Sequence, residues 1–336
     1  MILPETELAS YLEANVAGFR GPLTATKFKG GQSNPTYLVE AASGKYVLRR
    51  KPPGKLLPSA HAVDREFRVL QALHGGPVPV ARPLHLCADE SVIGSMFYLM
   101  DFVPGRVHWD PSLPDMAPDQ RAAHYEAIIG TLAALHSLDP AAIGLADYGK
   151  PGNYFERQVH RWSEQYRASE TRPIPAMDAL IERLPARCPA DDGRVALVHG
   201  DFRIDNLMFA ADAPRVLAVV DWELSTLGHP LADLGYFCMA LRLPRNPALP
   251  GLAGLDREAL GIPSEAALLA RYCELSGQPA PADWPFVLAF SFFRLAAIAQ
   301  GVAKRAEQGN ASSEQAAQAG QMTELLATQG LSLVKA

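Results

Sequence analysis

The stretch from Leu197 to Glu223, LVHGDFRIDNLMFAADAPRVLAVVDWE, constrains this chain more than any other. An apolar strand ends at His199, a polar loop carries Asp201, Asp205 and Asn206, and two short strands flank an ADAPR turn. In an antiparallel hairpin the first residue of one arm lies beside the last residue of the other. Asn206, entering the hairpin, is therefore expected next to Asp221, leaving it, with Asp201 on the loop just before. An amide oxygen and a carboxylate converging in this way suit Mg²⁺, a hard cation that takes oxygen ligands and completes its octahedron with substrate phosphates. Asn206 and Asp221 are thus the candidate metal ligands. Phosphoryl transfer asks for charge neutralisation, in-line positioning and a base for the attacking hydroxyl. Asp201 is the candidate base.

The residues upstream change character once. From Thr24 to about Val103 the signals are mostly strands: TATKFK, a GGQSN turn, TYLVE, a second turn at ASGK, then YVLRRK, and later RPLHLCAD and SMFYLMDFV. This predicts an antiparallel meander. It is interrupted by one helix with Ser59 as N-cap and Val63, Phe67, Leu70 and Leu73 at helical spacing. After Pro104 and Gly105 the pattern turns helical, as in Tyr125, Ile128, Ile129, Leu132 and Leu135, or Phe155, Val159, Trp162 and Tyr166. Further helices are predicted over 231–242, over 264–276 with Ser264 as cap and Gly277 as stop, over 283–308 and over 313–329.

Charge and composition narrow the partners. With 31 basic and 36 acidic residues in 336, and no run of one sign, neither a nucleic acid nor a membrane surface is called for. A small molecule is the expected partner. Cys87, Cys188, Cys238 and Cys273 form no CxxC pair, which suits a reducing compartment. The N-terminus does not read as a signal peptide, so a cytoplasmic location is expected. The apolar stretch 285–303 is broken by Arg294 and Gln300 and reads as a buried helix.

HGDFRIDN followed by VVDWE resembles the aminoglycoside phosphotransferase and choline kinase superfamily, relatives of protein kinases, and the likeness extends over nearly the whole chain. It implies an α+β, two-lobed protein-kinase-like fold. Residues 1–103 would form a small nucleotide-binding lobe with an antiparallel sheet and one helix, and 104–336 a larger, mainly helical catalytic and substrate-binding lobe. It implies ATP and Mg²⁺ as cofactors. In this scheme the loop FKGGQSNP covers the phosphates, with Gly30 and Gly31 permitting a close turn and Ser33 and Asn34 as small polar contacts. The third strand supplies a phosphate-binding cation; the family pattern favours Arg49, with Lys51 on the same strand face as the alternative. Glu66 is that cation's expected partner. The backbone from Asp101 to Val103 is where adenine would be held. His199 and Asp233 are implied to steady the catalytic loop.

Four longer stretches resemble the kinase domains associated with acyl-CoA dehydrogenases: residues 46–73, 152–169, 221–236 and 290–313. That branch implies phosphorylation of a hydroxyl on an acyl chain, with a hydroxyacyl-CoA as substrate and Arg157, Arg161, Arg294, Lys304 or Arg305 meeting its anionic carrier. Two alternatives are an aminoglycoside or other amino-alcohol or sugar kinase, and a nucleotide-binding pseudokinase. The first is disfavoured because Glu156, Glu164 and Glu170 on one helix are balanced by Arg157, Arg161 and Arg167. The presence of Asp201, Asn206 and Asp221 together argues against the second. The oligomeric state is left open.

Overall fold

Proline 4 and the acidic first turn of ETELASYLEAN start a helix that the strand-centred reading above did not include, Glu5–Asn15 (α1), whose Leu8 and Leu12 are fully buried. The computed structural model describes residues 3–28, 34–52, 62–246, 250–307 and 315–334. Strands Leu23–Lys27 (β1), Thr36–Ala41 (β2) and Gly44–Arg50 (β3) follow in antiparallel succession, as expected. Helix Val63–Leu73 (α2) then interrupts the sheet. It begins at Ala62 without a side-chain cap; Ser59, the expected cap, lies outside the described residues. Strands Pro83–Cys87 (β4) and Phe97–Asp101 (β5) complete a five-stranded sheet in the order β1-β2-β3-β5-β4. The meander is thus broken at its last step. β5 enters between β3 and β4 because its FYL segment is buried throughout, whereas β4 is half-exposed and suits an edge.

A short strand, Arg106–Val107 (β6), precedes helices Pro118–His136 (α3), Tyr154–Ser169 (α4) and Pro175–Arg187 (α5). Then come strands Ala196–Val198 (β7), Leu207–Phe209 (β8), Val216–Val219 (β9) and Thr226–Gly228 (β10). Helices Leu231–Met239 (α6), Glu265–Ser276 (α7), Trp284–Glu307 (α8) and Gln315–Leu333 (α9) complete the order. The ends of α7 follow the sequence signals closely. The Ser264 hydroxyl accepts the Ala267 N–H, and Gly277 closes the helix in the left-handed region at φ 66°.

The chain divides into two compact units. The first comprises Met1–Val107, Ile143–Leu145 and Asn206–Ser225; the second comprises His108–Ala142, Ala146–Asp205 and Thr226–Ala336. A single boundary near residue 104 would have left the β8–β9 hairpin with the helices. Its hydrogen bonds put it with the first unit instead: β8 pairs with β6, and the Val219 N–H donates to the Pro79 carbonyl at 2.8 Å.

Each unit has its own apolar interior. In the first, Leu8, Leu12, Phe19, Val39, Leu48, Phe97 and Leu99 pack together. In the second, α8 packs against α4, α5, α6 and α9. By length and composition residues 284–305 could cross a membrane, but 72% of the apolar window is buried inside the protein, as in a core helix. The four cysteines are free.

Candidate active site

In the second unit, β7 pairs with β10 antiparallel and delivers the chain to His199, Gly200 and Asp201. Gly200 has φ 85°, a left-handed conformation that few other residues adopt readily. Asp233, in the first turn of α6 and fully buried, reaches back to this loop. Its carboxylate accepts the N–H groups of His199 at 2.6 Å and Gly200 at 2.8 Å, and lies 3.3 Å from His136 Nε2. Burial pushes the Asp233 carboxyl upward, but hydrogen bonds from His136 and Gly200 outweigh it and hold the group below the usual carboxylate range. His136 is held in turn by the Tyr272 hydroxyl at 2.8 Å. His199 is fully buried, and its Nδ1 accepts the Asp201 N–H at 3.2 Å. Both His199 and Asp233 therefore brace the loop, and Asp201 is its partly exposed carboxylate.

Downstream, Arg203 Nε donates to Asp205 at 2.9 Å, which leaves Asp205 occupied by its neighbour. The Tyr236 hydroxyl hydrogen-bonds Asp201, and burial together with that carboxylate's charge pushes the phenol well above its ordinary value. Arg294, named from the sequence among the cations that would meet an anionic carrier, is 5% exposed, in keeping with the buried helix expected for 285–303. Its guanidinium donates to the Gly200 carbonyl and lies between the rings of Trp162 and Tyr236. The apolar run around it on α8 draws it into the interior, where the aromatic faces and the carbonyl compensate its charge.

In the first unit the β8–β9 hairpin pairs Leu207 with Val219, and the Val220 N–H donates to the Asn206 carbonyl at 3.0 Å. Asn206 thus sits beside Val220, one residue before Asp221, close to the expected register. Asp221 leaves β9 at φ 67° and opens a short 3-10 turn, Trp222–Leu224. Its carboxylate is 2.6 Å from Arg49 Nη2, and Glu223 Oε2 is 3.5 Å from the same nitrogen. On the other side Arg49 Nε lies 2.9 Å from Glu66 Oε2, an ion-pair contact without hydrogen-bond geometry. The Glu66 carboxylate accepts from Asn34 Nδ2 at 2.7 Å and from the Tyr98 hydroxyl at 3.2 Å. Burial pushes Glu66 up to about 7; Arg49 opposes this, and Asp221 and Glu223 add to it. Three carboxylates thus share one guanidinium.

Of the expected nucleotide-side residues, Arg49, Glu66 and Asn34 come together in this cluster. Asn34 is 2% exposed and turned toward Glu66. Lys51 stands apart, 3.8 Å from Asp64 in a half-exposed pair, and Arg50 is buried on the opposite face with its Nε on the Ser95 hydroxyl. At the end of β5 the Asp101 N–H donates to the Arg82 carbonyl and its carboxylate accepts from the Arg82 guanidinium, while the Val103 carbonyl accepts from the Gly105 N–H. Ser33, with Gly30 and Gly31, lies outside the described residues. The sequence reading missed Glu223, Tyr98, Tyr236 and the contact of Arg294 with the Gly200 carbonyl. Glu223 was visible two positions after Asp221 in VVDWE, but strand alternation does not carry through a 3-10 turn. The other three become functional candidates only through contacts distant in sequence.

Asp221 and the Asn206 side chain offer carboxylate and amide oxygens, the donor set a hard cation such as Mg²⁺ prefers. Among the described residues no group of three or more His, Cys, Asp or Glu side chains forms a metal cage. A two-ligand site suits magnesium that is shared with a nucleotide's phosphates. A separate cavity of about 850 Å³ lies between α4, α5 and the start of α8, with Asp192, Arg194 and His229 at its polar corner. These residues flank the end of the β7–β10 pair opposite Asp201, so the cavity lies away from that carboxylate.

Residues 24–283 match the phosphotransferase enzyme family. The crystal structure of a candidate aminoglycoside phosphotransferase from Ralstonia eutropha JMP134 is 50% identical to the chain, with TM-score 0.90, covering 99% of this chain and 98% of that one. Acyl-CoA dehydrogenase family member 10 of Mus musculus is 49% identical over 329 residues, which is 97% of this chain but 31% of the relative. The chain thus spans about a third of that relative's length. A thermostable mutant of the aminoglycoside phosphotransferase APH(4)-Ia, in a ternary complex with ADP and hygromycin B, is 14% identical with TM-score 0.61, covering 97% of this chain and 98% of that one, and shares the fold.

Proposed function

This chain belongs to the phosphotransferase enzyme family, whose protein-kinase-like fold it shares, and we propose that it transfers the γ-phosphate of ATP to a hydroxyl of a small molecule. The observation that carries the reading is the cluster around Arg49. A guanidinium anchored by buried Glu66 on one side and Asp221 on the other is a fixed cation beside a carboxylate, the pairing that nucleotide phosphates and their metal require. When bound, Mg²⁺ would neutralise charge developing on the transferred group, with Asp221 and Asn206 as its protein ligands. Arg49 would bear on the phosphates, and Ser33 and Asn34 belong to the loop proposed to cover them. The backbone from Asp101 to Val103 is proposed to hold the adenine.

Asp201 is proposed as the base. Its loop is immobilised by Asp233 and is therefore pre-organised to orient an acceptor hydroxyl and take its proton, without reorganisation during the reaction.

For the acceptor we propose a hydroxyacyl-CoA. The similarity to acyl-CoA dehydrogenase family members supports this, although the chain covers under half of them. On the acidic side of the choice, two of the three carboxylates on or just after α4 are engaged, Glu170 by Arg167 and Glu164 by His160. That leaves little to attract a polycation. The similarity to a candidate aminoglycoside phosphotransferase favours the second reading, an amino-sugar acceptor. Incubation with Mg·ATP and a panel of 4-hydroxyacyl-CoAs, kanamycin and choline, read by mass spectrometry, tests both. One added phosphate on a hydroxyacyl-CoA is expected. Turnover of kanamycin alone would overturn the acceptor, and addition of a whole nucleotide would overturn the reaction class.

A further inference from the structure

The Gly200–Asp201 peptide is gripped at both ends. Arg294 donates to its carbonyl, and its N–H, which belongs to Asp201, donates to His199 Nδ1 at 3.2 Å. The preceding peptide is held separately, because Asp233 accepts the Gly200 N–H. Glycine at φ 85° has neighbouring conformations of similar energy, so without the Arg294 contact this peptide plane could rotate and carry the Asp201 side chain with it.

The guanidinium itself is fixed. Its carbon lies 5.6 Å from the centre of the Trp162 ring on α4 and 5.2 Å from that of Tyr236 on α6. The same Tyr236 hydrogen-bonds the Asp201 carboxylate. α6 and α8 are in close register at this point, because a Cβ built on Gly235 would come within 2.6 Å of Val287 and 3.0 Å of Ser291. The helix carrying Arg294 is thus packed closely against the turn that carries Tyr236, with room there for no side chain beyond glycine.

Resting on the reading of Asp201 as base, we propose that Arg294 and Tyr236 are its positioning residues. Arg294 locks the peptide that bears Asp201, and Tyr236 sets the direction of its carboxylate oxygens. Neither needs to touch substrate. Lysine could supply the charge but not the planar fork that bonds a carbonyl while also facing two rings.

The experiment measures ADP release from Mg·ATP, with a 4-hydroxyacyl-CoA and with water alone as acceptor, in wild type, Asp201→Ala, Arg294→Met, Arg294→Lys and Tyr236→Phe. Each variant's thermal midpoint and Kd for Mg·ATP are measured alongside. Arg294→Met is expected to lower the Asp201-dependent kcat about 100-fold, the scale of a small misplacement at a reacting group, with Kd within about twofold. Arg294→Lys should recover part of the loss. Tyr236→Phe, which keeps the ring, should lose about tenfold in kcat. A merely structural role would lower the thermal midpoint and leave kcat per folded molecule unchanged, and that result would overturn the proposal. If Arg294→Met does not fold, Arg294→Lys and Tyr236→Phe decide it, and wild-type kcat in both would overturn it. Equal ADP release by wild type and Asp201→Ala would instead remove the base itself, and this proposal with it.

Discussion

Arg49 and Asp221 stand 172 positions apart in the chain and meet at 2.6 Å, which makes the guanidinium of β3 the direct neighbour of the carboxylate that ends β9. Each half of the pair has its own support, since Glu66 holds Arg49 from behind and the 3-10 turn holds Asp221. A cation already seated beside a prospective metal ligand lowers the cost of bringing phosphates there.

Asp221→Asn is therefore expected to weaken Mg·ATP binding at least tenfold, about 1.4 kcal/mol, because the amide keeps the shape and loses the charge. Calorimetric titration with and without chelator checks this. An unchanged Kd would remove Asp221 from the metal site.

Arg49→Met should raise the KM for ATP, whereas Lys51→Met should change neither KM nor stability by more than about 0.5 kcal/mol, as for other half-exposed pairs. Steady-state kinetics of the two variants separate the roles; the opposite pattern would exchange them.

Asp201→Ala should lower kcat about 10³-fold while leaving the Kd for Mg·ATP within about twofold, the signature of losing a general base and not a binding group. Near-normal kcat would remove the base assignment.

Glu66 gives a pH prediction. Burial raises its folded-state carboxyl from 4.5 to about 7, so the folded chain holds a proton that the unfolded chain has released across that window. This contribution to stability is full below pH 4.5 and is lost as pH rises through about 7. Glu66→Gln should flatten that part of the thermal midpoint against pH curve. An identical slope in the variant would place the Glu66 titration elsewhere.

Asp233→Ala would strip two backbone N–H groups and a buried imidazole of their acceptor, at a cost of about 3 kcal/mol. Urea unfolding of the variant measures it.

Much of this was legible in the sequence because it is local. Alternation on β3 separated Arg49 from Arg50, hairpin geometry brought Asn206 to the end of β9, and Ser264 and Gly277 marked both ends of α7. What escaped depends on contacts between distant elements. The position of β5 between β3 and β4 is settled by which strand is buried on both faces, a property of the packed sheet. Arg294 carries the same charge whether it faces water or two aromatic rings, and only the packing of α4, α6 and α8 decides. Helix α5 has Pro175 at its start and a second proline, Pro185, inside it, which blurred its signal.

The left-handed backbone of Asp221 has an evolutionary consequence. A non-glycine residue at φ 67° holds conformational energy of about 1 kcal/mol that glycine there would release. Glycine would also strip the largely buried Arg49 guanidinium of its 2.6 Å carboxylate, so relief of strain alone does not favour the exchange, and a relative bearing glycine there would be one that had stopped handling nucleotide.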